Sequence, residues 1–557
     1  MTDYLKLKKS NCKNCHKCIR NCPVKSIRFA DAQAHIISEE CVLCGKCFVS
    51  CPQNAKEIRD DTEAVKADIA SGVPVIVCLA PSFIANYKGT TIETMRAALL
   101  KLGFSDVVET AIGASIVKTR YEELIRDDGQ SVIISSCCTA VNNLIQKYYP
   151  DALAYLANVV TPMEATCRLI KHKNPGVKTV FIGPCIAKKQ EADNSHAVDQ
   201  ALTFFELSRW MQERGVTPET AESTLAESRA RLFPLSGGIL RSMEPWDKRY
   251  SYITVDGMNN CICAIKDIID GNLSHCFVEM SACVGGCVGG PAMEQGRERP
   301  VSDSVAVNTY AGSKDFVVEQ PSVADLMQGY PRTPVRKINV SEREILDVLK
   351  KMGKTKPEHE LNCGTCGYNT CREKALAVCL GKAEISMCLP YLMEKAESFS
   401  DTIIQNSPNG ILVLNEQYEI QQINPAACEI FRIKLPSDVL GMPAVTLLDP
   451  APFMEALQRG STVNNRQVYL AEYGKYVVQS VIYNHNYHII VGILRDITAE
   501  VNTRRIKETQ SAETAAVADK VMARQMNVVQ QIASLLGETA AETKIALTKL
   551  KESLSDE

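Results

Sequence analysis

The sequence has no long apolar run, no leader-like start and little net charge, and each absence removes a class of protein. No stretch of about 18 consecutive apolar residues occurs, so there is no candidate transmembrane helix. Residues 1–9 include no apolar segment of signal-peptide length. A formal net charge of −3 gives no overall attraction to nucleic acid or to an anionic membrane. We therefore expect a cytoplasmic protein with neither nucleic acid nor a membrane as partner.

A chain of 557 residues is too long for one hydrophobic core, so several domains are expected. Its 45% hydrophobic and 23% charged residues are typical of ordinary folded domains. The predicted class is multidomain α/β and α+β. Motif positions and shifts in composition predict five segments: 1–60, 65–350, 351–395, 398–500 and 501–557.

What the sequence does contain is 24 cysteines, most of them in short clusters. In a large protein of a reducing compartment, such spacing indicates metal binding rather than disulfide formation. Isolated cysteines are interpreted instead as buried packing residues. These are Cys78, Cys167, Cys276 and Cys428.

A four-cysteine run near the start of the chain, C-x2-C-x2-C-x3-C-P, occurs twice. This is the spacing of bacterial two-cluster ferredoxins, in which the fourth cysteine of each run ligates the other cluster. A zinc ribbon is the alternative, but zinc ribbons rarely use two such runs. One [4Fe–4S] cluster is predicted on Cys12, Cys15, Cys18 and Cys51, and a second on Cys22, Cys41, Cys44 and Cys47.

Short apolar runs rich in β-branched residues, each followed by a helix-like segment, extend over 65–350. They predict strands at 75–79, 132–134, 179–182 and 276–278 in an α/β domain with buried, largely parallel strands. Motif cysteines follow three of these runs. Ligands of open α/β sheets bind at the carboxyl ends of strands, so three loops that are distant in sequence are expected to meet at one site.

Those three loops carry a Cys-Cys pair at 137–138, a Pro-Cys-x-x-Lys-x-x-Glu segment at 184–191, and two cysteines among paired glycines at 283–290. Together they resemble the signature loops of the [FeFe]-hydrogenases. The resemblance implies an H-cluster, which is a [4Fe–4S] cubane joined through a cysteine sulfur to a two-iron centre with CO, cyanide and azadithiolate. It also implies reversible heterolytic cleavage of H2 to protons and electrons.

The resemblance also implies a role for individual residues. Cys137 matches the thiol that passes protons to the bridgehead amine, and Lys188 matches the lysine that hydrogen-bonds an iron-bound cyanide. Glu191 is expected to orient Lys188. The implied ligands of the cubane are Cys138, Cys185, Cys283 and Cys287, the last also bridging to the two-iron centre. Further implied cofactor-binding residues are Ala80, Pro81, Ser82 and Ser281, although Pro81 has a second explanation as a strand terminator.

The chain departs from the family pattern at several positions. Thr139 follows the Cys-Cys pair where the family has proline, and Gly183 and Ser281 stand where it has methionine. The family's final Gly-Gly-Gly-x-Pro is shortened to Gly289-Gly290-Pro291. The usual glutamate pair of the proton route has no clear counterpart after Ser115. These differences predict less bulk around the two-iron centre and an altered proton relay, and hence slow or differently biased turnover.

A further cysteine module occupies segment 351–395, with the spacing C-x2-C-x4-C-x16-C. It resembles the small [4Fe–4S] domain of corrinoid iron–sulfur proteins and related electron-transfer subunits. The resemblance implies one more cluster, with zinc as the alternative. Its predicted ligands are Cys363, Cys366, Cys371 and Cys388.

Segment 398–500 has no clustered cysteines and resembles a PAS domain, on predicted strands at 411–414 and 420–423 and a closing segment at 487–493. Cys428 and His488 are single residues and are interpreted as packing and surface residues rather than attachment points for haem or flavin.

Segment 501–557 is predicted to be helical, because its apolar residues recur at three-, four- or seven-residue spacing. A coiled coil or a partner-binding helix is expected, and a helix packed on the PAS domain is the alternative. The apolar positions are Val517, Val521, Val528, Ile532, Leu535, Leu547, Leu550 and Leu554.

These features together predict an H2-sensing [FeFe]-hydrogenase. H2 turnover would change the redox state of the iron–sulfur modules, and the PAS domain and terminal helix would report it to a kinase or phosphatase, in a homodimer. Two alternatives stay open: a metabolic hydrogenase that exchanges electrons with ferredoxin, and a non-enzymatic iron–sulfur scaffold or carrier.

Overall fold

The computed structural model describes residues 3–8, 11–221, 227–243, 247–294, 300–336, 338–460, 462–536, 547–551 and 553. The chain divides into two compact units, Met1–Tyr391 and Leu392–Glu557. No helix of the described residues is both long and apolar enough to cross a membrane.

The N-terminal part consists of two short antiparallel strand pairs and two one-turn helices. Strand β1 pairs with β4, and β2 pairs with β3. Helices α1 and α2 each carry the third cysteine of one run, Cys18 and Cys47. The bounds are β1 Leu5–Leu7, α1 Lys17–Asn21, β2 Ile27–Ala30, β3 Gln33–Ile36, α2 Lys46–Val49 and β4 Lys56–Ile58.

Two parallel sheets form the centre of the α/β domain, and the four strands predicted from the sequence are confirmed. Strands β5 Val75–Leu79, β6 Asp106–Glu109, β8 Lys178–Gly183 and β9 Gln200–Thr203 form one sheet in the order β6-β5-β8-β9. Strands β7 Val132–Ile134, β10 Ser251–Asp256 and β11 Cys276–Ser281 form the other in the order β10-β11-β7. The sequence did not show that the predicted strands belong to separate sheets.

Helices cover both sheets. On the smaller one, Val278 and Met280 pack into one apolar cluster and Phe277 into another, so both faces of β11 are buried. The helices are α3 Thr62–Ala70, α4 Phe83–Asn86, α5 Ile92–Lys101, α6 Ala111–Asp127, α7 Thr139–Tyr148, α8 Pro162–Lys173, α9 Ala187–Asp193, α10 Phe204–Glu213, α11 Gly238–Ser242, α12 Met258–Ile269, α13 Pro300–Ala311 and α14 Val323–Leu326. Helices α15 Glu342–Lys351, α16 Cys371–Cys379 and α17 Leu389–Asn406 follow.

A buried ion network joins the start of α3 to α9 and α10. The Lys189 ammonium lies 2.8 Å from Asp61 Oδ2 and 2.8 Å from Glu206 Oε1. Lys189 has no solvent exposure, and it also donates a hydrogen bond to the Ala201 carbonyl. Removing one partner of a buried ion pair leaves the others as uncompensated charges in a medium that solvates them poorly.

Replacement of Lys189 by methionine is therefore expected to lower the free energy of unfolding by about 3–5 kcal/mol. The measurement is the urea midpoint of the full chain. Lys66→Met is the matched control, because Lys66 pairs with Glu63 and Glu213 at the surface and such pairs contribute about 1 kcal/mol or less. Equal midpoints for the two variants would contradict the structural role of Lys189.

The second unit contains a five-stranded antiparallel sheet of order β13-β12-β16-β15-β14. The strands and helices are β12 Gly410–Asn415, β13 Ile420–Ile423, α18 Pro425–Ile430, α19 Ala451–Arg459, β14 Val463–Leu470, β15 Lys475–Asn484, β16 Ile489–Asp496 and α20 Thr498–Leu536. Cys428 is buried in the apolar core of the unit. His488 is exposed and pairs with Glu416 at 2.9 Å. Both positions agree with packing and surface roles.

The predicted terminal helix is confirmed where the structure describes it. Val517, Val521 and Val528 lie on α20 with exposed side chains. Ile532 and Leu535 are within the helix, although their side chains are outside the described part of the chain. Residues 537–546 and Leu554 also fall outside it.

Candidate active site

The three cysteine loops follow β7, β8 and β11 and hydrogen-bond to one another. The Ala282 amide donates to Cys138 Sγ at 3.5 Å. The Met280 amide donates to Ser135 Oγ at 3.1 Å, which ties the first loop to the third. The Ala292 amide donates to the Pro184 carbonyl at 3.0 Å, which ties the third loop to the second. The loops therefore meet where the carboxyl ends of the two sheets approach each other.

The four predicted cubane ligands lie close enough to interact electrostatically. Burial raises the pKa of Cys283 well above its ordinary value, and the thiolates of Cys185, Cys138 and Cys287 raise it further. Burial and then Cys138 raise the pKa of Cys185 to about 11. The surrounding protein raises the pKa of the Cys287 thiol above its ordinary value. The Cys287 side chain is nevertheless exposed to solvent. Four crowded thiols of this kind are stabilised as thiolates only when a cationic group binds them.

An iron–sulfur cubane fits this arrangement better than a single metal ion. Among the described residues, no three His, Cys, Asp or Glu side chains converge closely enough to hold one ion. Each cysteine of a cubane binds a different iron, so the sulfurs need to surround a cluster rather than meet at a point. Ser82 Oγ is buried beside this region without a hydrogen-bond partner.

Gly286 shows how closely the third loop approaches its neighbours. It has φ +86°, and a Cβ at this position would lie 2.5 Å from the Pro234 carbonyl oxygen. Any larger residue would combine a strained backbone with a steric clash. Glycine is thus required at position 286 of the motif.

The Cys137 side chain contacts a buried tyrosine. Its Sγ is 3.2 Å from the Tyr121 hydroxyl, which lies 3.0 Å from Ser136 Oγ and accepts a hydrogen bond from the Ser136 amide at 2.9 Å. Burial raises the Cys137 pKa to about 12, although Tyr121 and Lys188 oppose the shift. Cys137 is therefore a protonated thiol at neutral pH.

Glu279 on β11 is a second residue of this neighbourhood that the sequence interpretation missed. It is buried, and it accepts a hydrogen bond from the Leu240 amide at 3.1 Å. Burial raises its pKa to about 7 despite several backbone hydrogen bonds. Glu279 also acts electrostatically on Cys137. A carboxyl group with a pKa near neutrality can both accept and release a proton.

Lys188 and Glu191 lie three residues apart on α9 and form an ion pair of 2.7 Å. Burial alone would lower the Lys188 pKa, but Glu191 and then Cys185 and Cys137 raise it overall. Glu191 also hydrogen-bonds the hydroxyls of Thr139 and Thr161. These contacts are those of a residue that positions Lys188. Glu191 also lines a cavity of about 1150 Å³.

The remaining cofactor-binding candidates surround the second loop. Ala80, Pro81 and Ser82 follow β5 and are buried, and the Ala80 amide donates to Ile182 at 2.9 Å. Ser281 ends β11, where its carbonyl accepts from the Gly257 amide at 2.9 Å.

The predicted loss of bulk at Gly183 is partly compensated by a neighbour. A Cβ on Gly183 would lie 2.7 Å from the Phe181 ring and 3.0 Å from Ala80 Cβ. Phe181 therefore fills the space that a side chain at position 183 would occupy. A residue two positions away on the same strand supplies bulk that the motif itself lacks.

Electrostatic interactions link Cys22, Cys41, Cys44 and Cys47 with one another, and Cys18 with Cys12 and Cys15, whereas the two ligand sets stay a prediction. Burial raises the pKa of Cys47 well above its ordinary value, and the charges of Cys41, Cys44 and Cys22 raise it further. Burial raises the pKa of Cys18 to about 11, with further contributions from Cys12 and Cys15. Cys51 Sγ accepts from the Ala55 amide at 3.3 Å.

In the small module, Cys363, Cys366, Cys371 and Cys388 line one small pocket. Among the isolated cysteines, Cys78 and Cys167 are buried with their sulfurs 3.1 Å apart, and Cys276 is buried in β11. These positions agree with packing roles.

Tyr121→Phe tests the contact with Cys137. The variant keeps the ring but removes the hydroxyl, so we expect H2 turnover to fall roughly tenfold, less than the ~10²–10⁴ typical of a direct proton carrier. The pH–rate profile should shift as well, because the hydroxyl affects the Cys137 pKa. Tyr250→Phe, which removes a hydroxyl bound to Asp128 and Gln130, is the control. Unchanged rate and profile in Tyr121→Phe would exclude the contact from the proton path.

Comparison with known protein families decides the identity of the α/β domain. Residues 73–291 match the model of the iron-only hydrogenase large subunit, C-terminal domain. Residues 73–291 are an iron-only hydrogenase domain. Residues 11–55 match a 4Fe-4S dicluster domain, 360–390 a small Fe–S cluster domain and 398–497 the PAS fold. The predicted resemblance and fold class are confirmed: the chain contains an iron-only hydrogenase domain, a 4Fe-4S dicluster domain, a small Fe–S cluster domain and a PAS fold.

Two curated relatives and one solved structure are similar to parts of the chain. The chain is 25% identical over 390 residues to the periplasmic [Fe] hydrogenase large subunit of Nitratidesulfovibrio vulgaris, covering 56% of this chain and 91% of that protein. It is 22% identical over 282 residues to iron hydrogenase 1 of Clostridium pasteurianum, covering 39% of this chain and 49% of that protein. A solved variant of [FeFe]-hydrogenase HydA1 from Chlamydomonas reinhardtii is 18% identical with a TM-score of 0.38, covering 50% of this chain and all of that one.

The comparisons support iron–sulfur and H-cluster binding by the hydrogenase and Fe–S domains. They do not test the residue-by-residue roles or the domain boundaries, which stay predictions. The cytoplasmic location is also still a prediction, since one relative is a periplasmic protein by name.

Proposed function

We propose that the chain catalyses reversible H2 cleavage at an H-cluster and that the PAS-containing unit reports this turnover. The observation that carries the proposal is the meeting of four thiols, the Lys188 ammonium and the non-ligand thiol Cys137 in one buried site of the hydrogenase domain. A scaffold protein would need the four thiols alone. The ammonium and the additional thiol are groups that catalysis requires.

In this proposal Cys138, Cys185, Cys283 and Cys287 hold the cubane, and Cys287 also bridges to the two-iron centre. When bound, the H-cluster supplies a Lewis-acidic iron for H2 and a cubane that accepts electrons. Lys188, fixed by Glu191, donates hydrogen bonds toward the cyanide side. Ala80, Pro81, Ser82 and Ser281 line the cofactor.

Protons leave through Cys137, Tyr121 on α6 and Glu279 on β11. Cys137 holds the first proton, and its Sγ lies 3.2 Å from the Tyr121 hydroxyl. Glu279, with a pKa of about 7, is the neighbouring carboxyl group. In the family a pair of glutamates, which has no clear counterpart here, carries protons away from the site. We assign this proton relay to Cys137, Tyr121 and Glu279. Such an altered relay is consistent with slow turnover.

Electrons leave through the dicluster domain. Cys44 acts electrostatically on Cys283, so a cluster held by Cys22, Cys41, Cys44 and Cys47 would lie next to one held by Cys283. Gly45 lies against the end of the third loop, because a Cβ there would be 2.5 Å from Pro291 Cβ. This direct packing gives the two clusters the proximity that electron transfer needs. The proposal includes a second dicluster-domain cluster and one in the small domain.

The sensory part of the proposal is supported by the PAS fold and by the exposed valines of α20. Exposed apolar residues at helical spacing are suited to binding another helix. We propose a second copy of the chain and a kinase or phosphatase as partners, with ferredoxin as the alternative redox partner.

The test is to measure H2 uptake and evolution by the matured full chain, together with hydrogen exchange of residues 392–557 under H2 and under argon. A sensor is expected to turn over slowly and to change exchange in the PAS strands under H2. Fast turnover with identical exchange under both gases would favour the metabolic, ferredoxin-linked hydrogenase.

A further inference from the structure

The small Fe–S domain is attached to the dicluster domain by an interface that contains thiolates from both. Arg20 on α1 donates to the carbonyls of Gly364 and Thr365 at 3.3 and 3.1 Å. The Phe29 amide donates to the Lys382 carbonyl at 2.8 Å. Cys18 and Cys22 of the dicluster domain and Cys366 of the small domain belong to one apolar cluster. The two modules therefore form one continuous packed structure.

Tyr368 lies at the centre of this interface. It is 3% exposed, and its hydroxyl is buried without a hydrogen-bond partner. Burial raises the Tyr368 pKa, and the thiolates of Cys366 and Cys22 raise it further. Its ring thus lies near one ligand of each cluster.

Two lysines lie over the Tyr368 ring, Lys25 at 5.7 Å and Lys374 at 5.8 Å from the centroid. Lys25 donates to the carbonyls of Ile19, Arg20 and Gly367, so it spans both modules. The negative groups that act on it are Cys22, Glu373 and Cys366.

Lys374 is the more unusual of the two lysines, because it has no solvent exposure at all. Its ammonium donates to the Glu384 carbonyl. Burial lowers its pKa to about 8, while Cys366 and Cys388, and then Glu384, oppose the shift. Lys374 also lines the same small pocket as the four predicted ligands of the small-domain cluster. A fully buried ammonium is costly unless negative charge compensates it, and the charges that act on it most are two predicted ligands of the small-domain cluster.

We propose that Lys25 and Lys374 raise the reduction potentials of the two clusters at this interface, and that electrons pass directly between these clusters. A cation close to a cluster stabilises its reduced form, which carries one more negative charge. Lys374 acts on the small-domain cluster and Lys25 on that cluster and on the one that Cys22 ligates. In the transfer, one cluster loses an electron and the other gains it, with no bond broken. The proposal rests on the cluster assignments made above, but not on H2 turnover.

The experiment is an EPR-monitored redox titration of the full chain after anaerobic reconstitution with iron and sulfide. The signal lost in Cys363→Ser identifies the small-domain cluster. In Lys374→Met, the reduced-to-oxidised ratio of that cluster at a fixed potential should fall about tenfold, or ~59 mV for one electron, while Lys374→Arg keeps the wild-type value. Lys25→Met should shift this cluster and one dicluster-domain cluster. Exposed Lys356→Met is the control and should shift neither.

An unchanged midpoint in Lys374→Met, or equal midpoints for the methionine and arginine variants, would overturn the inference. Should Lys374→Met fail to retain the cluster, Lys25→Met decides, and an unchanged midpoint there overturns it. If Cys363→Ser removes no signal, the small-domain cluster assignment fails together with this inference. The proposal of H2 cleavage at the H-cluster would stand in that case.

Discussion

Cys137→Ala is expected to lower H2 turnover by about 10²–10⁴-fold without loss of iron, because the residue carries protons and binds no metal. The thiol is 3.2 Å from the Tyr121 hydroxyl, and it is protonated at neutral pH. Alanine has no side-chain group that accepts or donates a proton. The substitution therefore interrupts proton transfer between the reacting centre and Tyr121. The measurement is the H2 evolution rate beside the iron content of the same preparation.

Cys276→Ala is the matched control, since it removes a buried thiol of the same domain outside the site. It should keep turnover within a few-fold of wild type. Full activity in Cys137→Ala would refute the role assigned to Cys137. Loss of iron from Cys137→Ala would show instead that Cys137 is a ligand.

Cys287→Ala should abolish turnover and prevent retention of the two-iron centre, because its sulfur is the proposed bridge between the two parts of the H-cluster. The measurement is the infrared spectrum of the matured variant, in which the bands of iron-bound CO and cyanide should be absent. The other three thiols of the site would remain, so part of the cubane iron can persist.

Cys261→Ala serves as its control. Cys261 is a buried thiol whose Sγ lies 3.4 Å from the Ser281 carbonyl, near the site but outside the three motifs. Its infrared bands should match those of wild type. A Cys287→Ala variant that keeps the bands would show that the bridge is assigned to the wrong cysteine.

Residue types and spacing were enough to locate the loops and strands of the hydrogenase domain. Local sequence patterns predict the cysteine loops. Strands β5 and β7 are continuous buried apolar runs, so the sequence also predicts where each strand begins and ends. The division of the strands into two sheets depends on which strands pair, and no local pattern records that. The same limit applies to Phe181, which fills space beside Gly183 only because both lie at the end of β8.

The proton relay shows the same contrast. Tyr121 lies on α6 four residues after the buried Val117 and four before the buried Ile125, so helical periodicity could have placed it inside. Its contact with Cys137 joins different elements, and a family pattern that expects glutamates does not point to it. Glu279 lies within an apolar strand run, and its raised pKa depends on burial that only the fold reveals. The interface between the small Fe–S domain and the dicluster domain likewise depends on docking.

The most direct test of the central claim is the infrared spectrum of the matured full-length chain, recorded under argon and then under H2. The account predicts bands from iron-bound CO and cyanide that shift when H2 is admitted, since the four cysteines hold an active H-cluster. A matured chain with a full complement of iron but no such bands would contradict it and would leave an iron–sulfur carrier in its place.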